Sequence, residues 1–386
     1  MAIPLTYNLR NLRVRAYSTV MTALSIGLVV AVFIGVTALA RGLEEAFVTT
    51  GVPLNLVVLR QGSQVETSSV VRRDSLQVIK YLPGVAADAT GLPLVSPELI
   101  VLLNLPKRDG GQGNVIVRGL SAKGFELRPQ VRLIRGRFVR PGLREILVGR
   151  AVAERFQDAE PGAALRFGRS HWKVVGVFDA GRTAFDSEIW SDESELAQDF
   201  DRADYSSVLL RAESGPALRA IQRRISDDRR LHLKALTEQA YYAEQTKAAA
   251  PIKVLGSFMA VVMAIGASFA VMNTMYAAVA RRSREIGVLR VLGFRPGSIL
   301  LSFLTESLLL SLVGGVVGCL LALPIHGLST GTTNFRTFSE VSFAFRITPD
   351  LLLGGLAFSL VMGGLGGFLP ARLASRQPMI ETLREG

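Results

Sequence analysis

The sequence predicts an α-helical membrane protein with four transmembrane helices and a large extracytoplasmic α+β domain between the first two helices. Four runs contain no charged residue, at residues 16–40, 254–280, 307–325 and 351–371. Each is close to or above the roughly 20 apolar residues that cross a bilayer as a helix. The interval between the first two runs carries many short β-branched segments bounded by turn residues, which predict strands. Arginines cluster in short segments beside the runs, which predicts their cytosolic ends.

The composition supports a mixed protein of spans and one sizeable folded domain. Hydrophobic residues make up 49% of the chain and charged residues 20%, which is too apolar for an ordinary soluble domain and too charged for spans alone. The net charge of +12 lies mostly beside the apolar runs. This placement favours contact with anionic lipids over nucleic acid, so we expect a lipid bilayer and no nucleic acid as partner.

The N-terminal segment is predicted to hold a surface helix followed by the first span. In residues 1–15 three leucines repeat at helical spacing with two arginines on the other side, which predicts a cytosolic amphipathic helix lying on the membrane. The first transmembrane helix is predicted at residues 16–42, and its run is too long for a cleaved signal peptide. No breaker occurs before Gly51, so we expect the helix to continue as a stalk.

Residues 43–250 are predicted to form the extracytoplasmic (periplasmic) domain, carried on stalk helices at both ends. Segments such as LNLVVLR and WKVVGVF read as strands, whereas residues 74–82 and 216–230 read as helices. Strand-like segments concentrate at about residues 85–200. We therefore predict a strand-rich subdomain inserted into an α/β subdomain, in a domain long enough to bury its own core.

The second and third spans are predicted at residues 251–280 and 298–325, with a cytosolic coupling helix and loop at 281–297. Gly293 suits the left-handed residue that ends a helix, and Pro296 suits the first turn of the next. A short helix joined without slack to two spans can transmit force; the alternative is a surface helix with no partner. The candidate coupling residues are Arg284, Glu285, Ile286, Gly287, Leu289, Arg290 and Gly293.

The C-terminal part is predicted to hold a short external loop at residues 326–349, a fourth transmembrane helix at 350–371 and a cytosolic tail at 372–386. Small residues three or four apart allow helix backbones to approach closely in lipid. The candidate packing glycines are Gly314, Gly315, Gly318, Gly363, Gly364 and Gly367.

Two polar residues, Asn273 and Glu306, lie within predicted spans. An ionisable group in a span is costly and usually faces a partner or water. Two interpretations of Glu306 are open. It could couple the spans to a partner through Arg281, Arg282 or another subunit, or it could be a structural carboxylate near the cytosolic interface.

The sequence lacks the motifs of an enzyme. It contains no Gly-x-x-x-x-Gly-Lys-[Ser/Thr], so we expect no ATP site on this chain. The three histidines are scattered and cysteine occurs once, at Cys319, so we expect no metal site. The carboxylate pairs Asp186/Glu188 and Asp199/Asp201 are of a kind common on solvated loops. We therefore predict a non-enzymatic protein without a cofactor of its own.

Three blocks of sequence resemble one family of membrane permeases. The strongest spans residues 271–318 and contains Arg-Glu-Ile-Gly with a Leu-Gly six residues on; the others are NLRNLRVRAYSTVMTALSIGLVVAVFIGV and FLPARLASRQPMIETLREG. The family comprises permease subunits of ATP-binding-cassette systems typified by the macrolide exporter MacB, the lipoprotein-release permeases and the cell-division protein FtsX. LIRGRFVRPGLREILVGRAVAERF followed by HWKVVGVFDA resembles the external domain of the MacB branch.

The resemblance implies a machine larger than this chain. Such permeases sit in the bacterial cytoplasmic (inner) membrane, pair as dimers with a second copy or a paralogue, and receive motion from cytosolic ATPase subunits that bind ATP and Mg²⁺. Because only a short segment precedes the first span, we expect the ATPase dimer on separate chains and both termini of this chain in the cytosol. A periplasmic adaptor and an outer-membrane channel complete some members.

Three functions are compatible with these features. The first is a permease that exports or extracts a cargo by mechanotransmission, in which ATP-driven motion below the membrane moves the external domain. The second is an FtsX-like regulator that transports nothing and switches an external partner such as a cell-wall hydrolase. The third is a ligand sensor, although a coupling-type segment between four spans is unnecessary for sensing.

Overall fold

A computed structural model describes residues 16–246, 250–334 and 336–376. The expected surface helix at residues 1–15 and most of the expected tail lie outside these residues. The chain forms two compact units. We call residues 42–250 with 329–344 the α+β unit, and the described residues up to 41, residues 251–328 and those from 345 onward the helical unit.

The helices, in chain order, are α1 Ala16–Val48, α2 Arg73–Lys80, α3 Ala122–Glu126, α4 Arg150–Arg155, α5 Glu193–Asp199, α6 Gly215–Asp227, α7 Glu238–Thr246, α8 Ala250–Arg281, α9 Ser283–Val291, α10 Pro296–Ala322 and α11 Pro349–Arg376. The strands are β1 Asn55–Arg60, β2 Val95–Pro106, β3 Gln112–Leu120, β4 Arg132–Gly136, β5 Glu145–Gly149, β6 Ala164–Phe167, β7 Ser170–Asp179, β8 Glu188–Asp192, β9 Ser207–Arg211, β10 Leu233–Thr237, β11 Ser329–Thr333 and β12 Glu340–Ala344.

The helical unit is built from α1, α8, α10 and α11, which are the helices of the described residues that are long and apolar enough to cross a membrane. The 33 residues of α1 make a helix of about 50 Å, longer than the roughly 30 Å hydrocarbon core of a bilayer. One hydrophobic cluster joins the four helices and includes Val30, Val271, Phe303 and Met362. Four spans are thus held around a single apolar core.

The α+β unit contains a ten-stranded mixed sheet with the strand order β10-β1-β9-β2-β3-β8-β5-β7-β4, and β6 also pairs with β7. One hydrophobic cluster lies at the β10-β1-β9 end, where Leu218, Ile221 and Ile225 of α6 pack onto the strands. A second cluster is formed between residues 99 and 197. The strand-rich part is therefore inserted in the chain between the two halves of the other part, as predicted.

Local sequence accounts for the starts of the helices that flank β10. Ser214 caps α6 because its hydroxyl accepts a hydrogen bond from the amide of Ala217 at 3.3 Å, and proline occupies the first turn. The start of α7 lacks the Ser/Thr-x-x-Glu/Gln pattern of a capping box, since Ala240 follows Thr237 by three residues. In the structure, the hydroxyl of Thr237 accepts a bond from the amide of Ala240 at 3.1 Å, which satisfies a backbone donor at that start.

The segment expected as a short loop at residues 326–349 contains the β11–β12 hairpin. Ser329 pairs with Ala344 and Thr333 with Glu340. The hairpin groups with the α+β unit, although α10 precedes it and α11 follows it in the chain. The sequence pattern missed it because Gly, Ser and Thr dominate the first strand and give no apolar alternation.

Candidate coupling site at the α8–α9–α10 corner

Three helices meet within a few residues at the predicted coupling segment. Helix α8 ends at Arg281, and α9 begins at Ser283. Arg282 lies between them with φ −114° and ψ 17°, outside the regular helical region. Its carbonyl accepts the amide of Ile286 at 2.9 Å, which starts the hydrogen-bond ladder of α9. The chain therefore turns from one helix into the next at a single residue.

Arg282 is the centre of this corner. Its Nη1 donates to Glu306 Oε2 at 3.0 Å and its Nε to Glu285 Oε2 at 3.1 Å. The guanidinium carbon lies 5.0 Å from the ring centroid of Phe303, within range of a cation–π interaction. The Arg282 and Glu306 side chains are only 7% and 5% exposed. Removing one partner of such a buried pair is strongly destabilising. The pair links the residue at the start of α9 to α10.

The geometry identifies a partner for Glu306. Of the groups considered from sequence, the structure pairs the carboxylate with Arg282. Glu306 and Arg281 also line a cavity of about 200 Å³. Its wall includes Asn273 and Thr19, so the polar groups within the spans face a common space.

The buried and exposed sides of α9 differ from the sequence expectation. Of the candidate coupling residues, Ile286 is 1% exposed and belongs to the hydrophobic cluster of the helical unit, whereas Leu289 is half-buried. The side chain of Ile286 fixes α9 to the spans and is not available as an anchor. The exposed apolar side chains are instead Val288, Val291 and Leu292, at 45%, 63% and 66%. These three residues are the candidate anchor surface of α9.

The C-terminal end of α9 is tightly closed. Gly293 has φ +89°, and the amides of Gly293 and Phe294 donate to the carbonyls of Arg290 and Leu289, each at 3.1 Å. This pair of bonds is a Schellman motif, which requires the left-handed residue that glycine provides. Pro296 then opens α10. The C-terminal end of α9 is therefore closed by its own backbone bonds three residues before α10 begins.

Glycines place α10 directly against α11 and α1. A methyl group at Gly363 would lie 2.1 Å from Ser311 Oγ, and one at Gly367 would lie 2.0 Å from Ser307 Oγ. Gly315 meets Ser359 of α11 in the same way. On the other side of α10, methyl groups at the remaining two expected glycines would meet α1: Gly314 against Ile26, and Gly318 against Gly27 and Val30.

Gly364 differs from the other candidate glycines. A methyl group there would have its nearest neighbour, Leu308 Cδ2, at 4.0 Å, which is an ordinary contact. Gly366, which we did not select, approaches α8, where a methyl group would lie 2.5 Å from the carbonyl oxygen of Ser268. The closely spaced glycines of α11 thus point in different directions around the helix and contact different neighbours.

The α+β unit contains a buried ionic network that the sequence did not indicate. Arg118 bonds to Glu188 at 2.8 Å, to Glu98 at 2.7 Å and to Glu66 at 3.0 Å, and Arg128 bonds to Glu98 at 2.6 Å. Burial alone would raise the pKa of Glu98, but the two arginines outweigh it and lower that pKa. The network joins β2, β3 and β8 and favours the ionised form of Glu98 inside the unit.

The remaining acidic pairs serve the local backbone and side chains. Asp199 accepts a bond from the indole of Trp172 at 3.2 Å. Asp186 accepts the amides of Ala180 and Arg182, each at 2.7 Å. Burial raises the pKa of Asp186 to about 6. These contacts explain the carboxylates as parts of the fold.

The fold and the corner at Arg282 define a class: a permease-type membrane subunit with an α+β domain between the first and second spans and a short helix between the second and third. The model of the FtsX-like permease C-terminal domain matches residues 257–379. The model of the MacB-like periplasmic core domain matches residues 19–228, more than half of the chain. The chain belongs to the MacB/FtsX-type family of ABC transporter permeases.

Several curated relatives share parts of the sequence. The chain is 29% identical over 226 residues to the ABC transporter permease YknZ of Bacillus subtilis (strain 168), covering 55% of this chain and 54% of the relative. It is 27% identical over 239 residues to the macrolide export ATP-binding/permease protein MacB of Hahella chejuensis, covering 59% and 35%. The pyoverdine export protein PvdT of Pseudomonas aeruginosa is 38% identical over 129 residues, covering 33% and 18%. The chain thus spans about half or less of these relatives.

Solved structures of related domains are also similar. The extracellular domain of YknZ aligns with a TM-score of 0.37 at 16% identity, over 47% of this chain and 99% of that domain. The periplasmic region of MacB from Actinobacillus actinomycetemcomitans aligns with a TM-score of 0.38 at 10% identity, over 50% and 92%.

Proposed function

We propose that this chain is the permease subunit of an export or extraction system, and that it converts the motion of a separate cytosolic ATPase into movement of its extracytoplasmic domain. The observation that carries the proposal is the Arg282 clasp, which fixes α9 to α10 through a buried ion pair. A helix held in this way moves with the span it is attached to. ATP and Mg²⁺ would bind to the ATPase and not to this chain.

The surface that meets the ATPase is the exposed apolar side of α9 and its C-terminal end. Val288, Val291 and Leu292 form a small patch with the exposed Arg284 nearby in sequence. Interfaces of this kind depend on a few apolar anchors, while charged groups at the rim steer the encounter. The closed Schellman end keeps the patch rigid, so little conformational entropy is lost on docking.

The rest of the assembly follows from the family as further proposals. We place the chain in a bacterial cytoplasmic membrane with both termini in the cytosol, as a dimer with a second copy or a paralogue. A periplasmic adaptor and an outer-membrane channel are candidate partners. Relatives named for macrolide and pyoverdine export favour export over the alternative, an FtsX-like regulator of an external partner.

Substitution of the anchors tests the proposal. Val291→Asp and Leu292→Asp would bury a charge in the docked interface, which costs at least about 2–3 kcal/mol and weakens binding roughly a hundredfold. Co-purification of the co-expressed ATPase with tagged permease, followed by ATP turnover in lipid, measures the effect. Leu92→Asp, at an exposed position of the α+β unit, is the matched control and should retain both activities.

Two results would separate the alternatives. If both anchor variants keep a bound ATPase and normal turnover, α9 is a surface helix and the proposal fails. A different result is that the anchor variants lose the ATPase as expected while the wild-type dimer in vesicles moves no cargo and instead activates a cell-wall hydrolase. In that case the regulatory function replaces export.

A further inference from the structure

The β11–β12 hairpin belongs structurally to the α+β unit but covalently to the membrane helices. Its first strand begins at Ser329, shortly after α10, and its second ends at Ala344, shortly before α11. The hairpin nevertheless groups with residues 42–250. Besides the chain connections through α1 and α8, it is therefore another route from the spans to this unit.

A two-sided ion pair seats the hairpin. Glu340 is 7% exposed and has a cation on each carboxylate oxygen: Arg155 of α4 bonds to Oε1, and Lys107 Nζ lies 2.7 Å from Oε2. Both cations come from the strand-rich part of the unit. Because the carboxylate is shielded from water, these pairs are screened less than surface pairs.

Hydrogen bonds extend the seat along the hairpin. The amide of Ser342 donates to Ser187 Oγ at 2.8 Å, and Asn114 Nδ2 donates to the carbonyl of Phe338 at 2.9 Å. At the turn, Asn334 Nδ2 donates to Gln245 Oε1 of α7 at 3.1 Å. The hairpin thus contacts both the strand-rich part and the helix that precedes α8.

The seat requires the bare backbone of Gly331. A methyl group at this position would lie 2.0 Å from an Arg155 guanidinium nitrogen. The guanidinium therefore packs directly against β11 while it bonds to β12. Any side chain at this position would displace the arginine from Glu340.

Within the helical unit, the residues after the hairpin are fastened to α1. Arg41 Nη1 donates to Thr348 Oγ1 at 3.0 Å and to Asp350 Oδ2 at 2.5 Å. The amide of Arg346 donates to the carbonyl of Ala38 at 3.3 Å. These bonds join α1 to the chain that leaves β12.

We propose that the β11–β12 hairpin is a latch that transmits movement of α10 and α11 to the α+β unit, with Glu340 as its positioning residue. This inference rests on the proposed function. Two chain connections leave a domain free to turn about the line that joins them, whereas a further attachment restricts this freedom. The latch would make the α+β unit follow the spans instead of swinging on its stalks.

The first test needs no ATPase. Hydrogen exchange of full-length protein in detergent should show faster exchange at the amides of the hairpin in Glu340→Gln and Glu340→Lys, by on the order of tenfold at Ser342, because the seat loses its ion pairs. Ser329→Lys is the control, since this exposed position at the other end of the hairpin takes a charge without touching Glu340. Unchanged exchange in both Glu340 variants overturns the latch.

The second test measures transmission. In a Cys319→Ser background, spin labels at Gln64→Cys in the α+β unit and Leu320→Cys on α10 report the change in their separation during ATP turnover. We expect Glu340→Lys to reduce that change at least twofold while ATPase binding stays normal. Glu340→Gln keeps the side-chain shape, so it replaces Glu340→Lys in this measurement if the lysine variant does not fold.

The outcomes distinguish the two proposals. If wild-type protein binds no ATPase, or shows no ATP-dependent change in label separation, the proposed function fails. The hydrogen-exchange experiment still tests whether Glu340 holds the hairpin in place. If wild type responds and the Glu340 variants respond with the same amplitude, the latch is overturned and the proposed function stands.

Discussion

At the scale of single residues, Arg282 combines two ion pairs and an aromatic contact. The sequence drew attention to Glu306 because a carboxylate in an apolar run needs a partner. It could not choose between Arg281 and Arg282, because adjacent residues at a helix end point in directions that depend on where the helix breaks. The structure breaks the helix at Arg282, and this turns its side chain toward Glu306.

Loss of Arg282 should therefore be more damaging than neutralisation of Glu306. Arg282→Ala removes the guanidinium that bonds to the buried Glu306 carboxylate, which costs roughly 3–5 kcal/mol, whereas Glu306→Gln can still accept a bond from Arg282. We expect Arg282→Ala to lower the melting temperature clearly and Glu306→Gln to lower permease-stimulated ATP turnover with a smaller loss of stability. Arg284→Ala, at an exposed position on α9, is the control. Equal melting temperatures for Arg282→Ala and Arg284→Ala would contradict the clasp.

Asp186 gives a pH dependence that can be isolated. Burial raises its pKa in the folded state from 3.8 to about 6, so the folded protein binds the proton more tightly than the unfolded chain. Its stabilising contribution is fully present below pH 3.8 and is lost as the pH rises through about 6. We expect the wild-type melting temperature to fall over this window by more than that of Asp186→Asn. If the melting temperatures of the wild type and of Asp186→Asn change with pH in the same way, Asp186 is not the source of the pH dependence.

Ile286 shows why a helical pattern cannot assign a partner to a buried face. Apolar spacing on α9 predicted a side that avoids water, and Ile286 does avoid it. The pattern is the same whether that side packs on the chain's own spans or on another subunit. Ile286→Asp should consequently destabilise the permease itself, and melting in detergent without the ATPase will detect this. An unaltered melting temperature would contradict this and would favour a role for Ile286 in binding the ATPase.

At the scale of elements, glycines control how closely α10 and α11 approach. The sequence predicted packing from glycine spacing, but successive helix residues differ in direction by about 100°, so neighbouring glycines cannot share one role. Gly363 meets Ser311, while Gly364 has only an ordinary contact. Which side of α11 faces α10 depends on the surrounding helices. The spacing of glycines in the sequence does not contain this information.

Replacement of glycine by leucine should separate these roles. Gly363→Leu would force α10 and α11 apart, since even a methyl group at this position overlaps Ser311. Such overpacking typically costs about 1–3 kcal/mol. Gly354→Leu is the matched control, because nothing lies within 4 Å of a methyl group there. Thermal melting of both variants in detergent gives the comparison, and a smaller loss for Gly363→Leu than for Gly354→Leu would contradict the packing.

At the scale of the whole molecule, the arrangement of spans and domain was accessible from sequence because it depends on composition over long windows. Charge-free runs mark helices in a bilayer, and alternating β-branched segments mark strands. The ionic network around Arg118 and the seat of the hairpin at Glu340 were not accessible. Glu98 and Arg118 lie 20 residues apart in the chain and Arg155 and Glu340 lie 185 apart, so no local pattern relates them.

Membrane orientation is the prediction that belongs to this scale. The arginine-rich segments predict that residues 43–250 lie outside and that the 281–297 segment lies in the cytosol. In a Cys319→Ser background, Gln112→Cys should react with an impermeant maleimide in intact spheroplasts, and Arg284→Cys should react only after the membrane is opened. The opposite pattern would invert the orientation and remove α9 from the reach of a cytosolic ATPase.

The order of the strands also has a consequence for biogenesis. β1 pairs with β9 and β10. It therefore cannot form its strand pairs until residues 207–237 have been synthesised. At about 5–20 residues per second, this delay is of the order of ten seconds. During that time its edges are unpaired and prone to aggregation. The hairpin joins still later, after α10 has emerged. Chaperone dependence during translocation is therefore the expected cost of a sheet whose neighbouring strands are far apart in the chain.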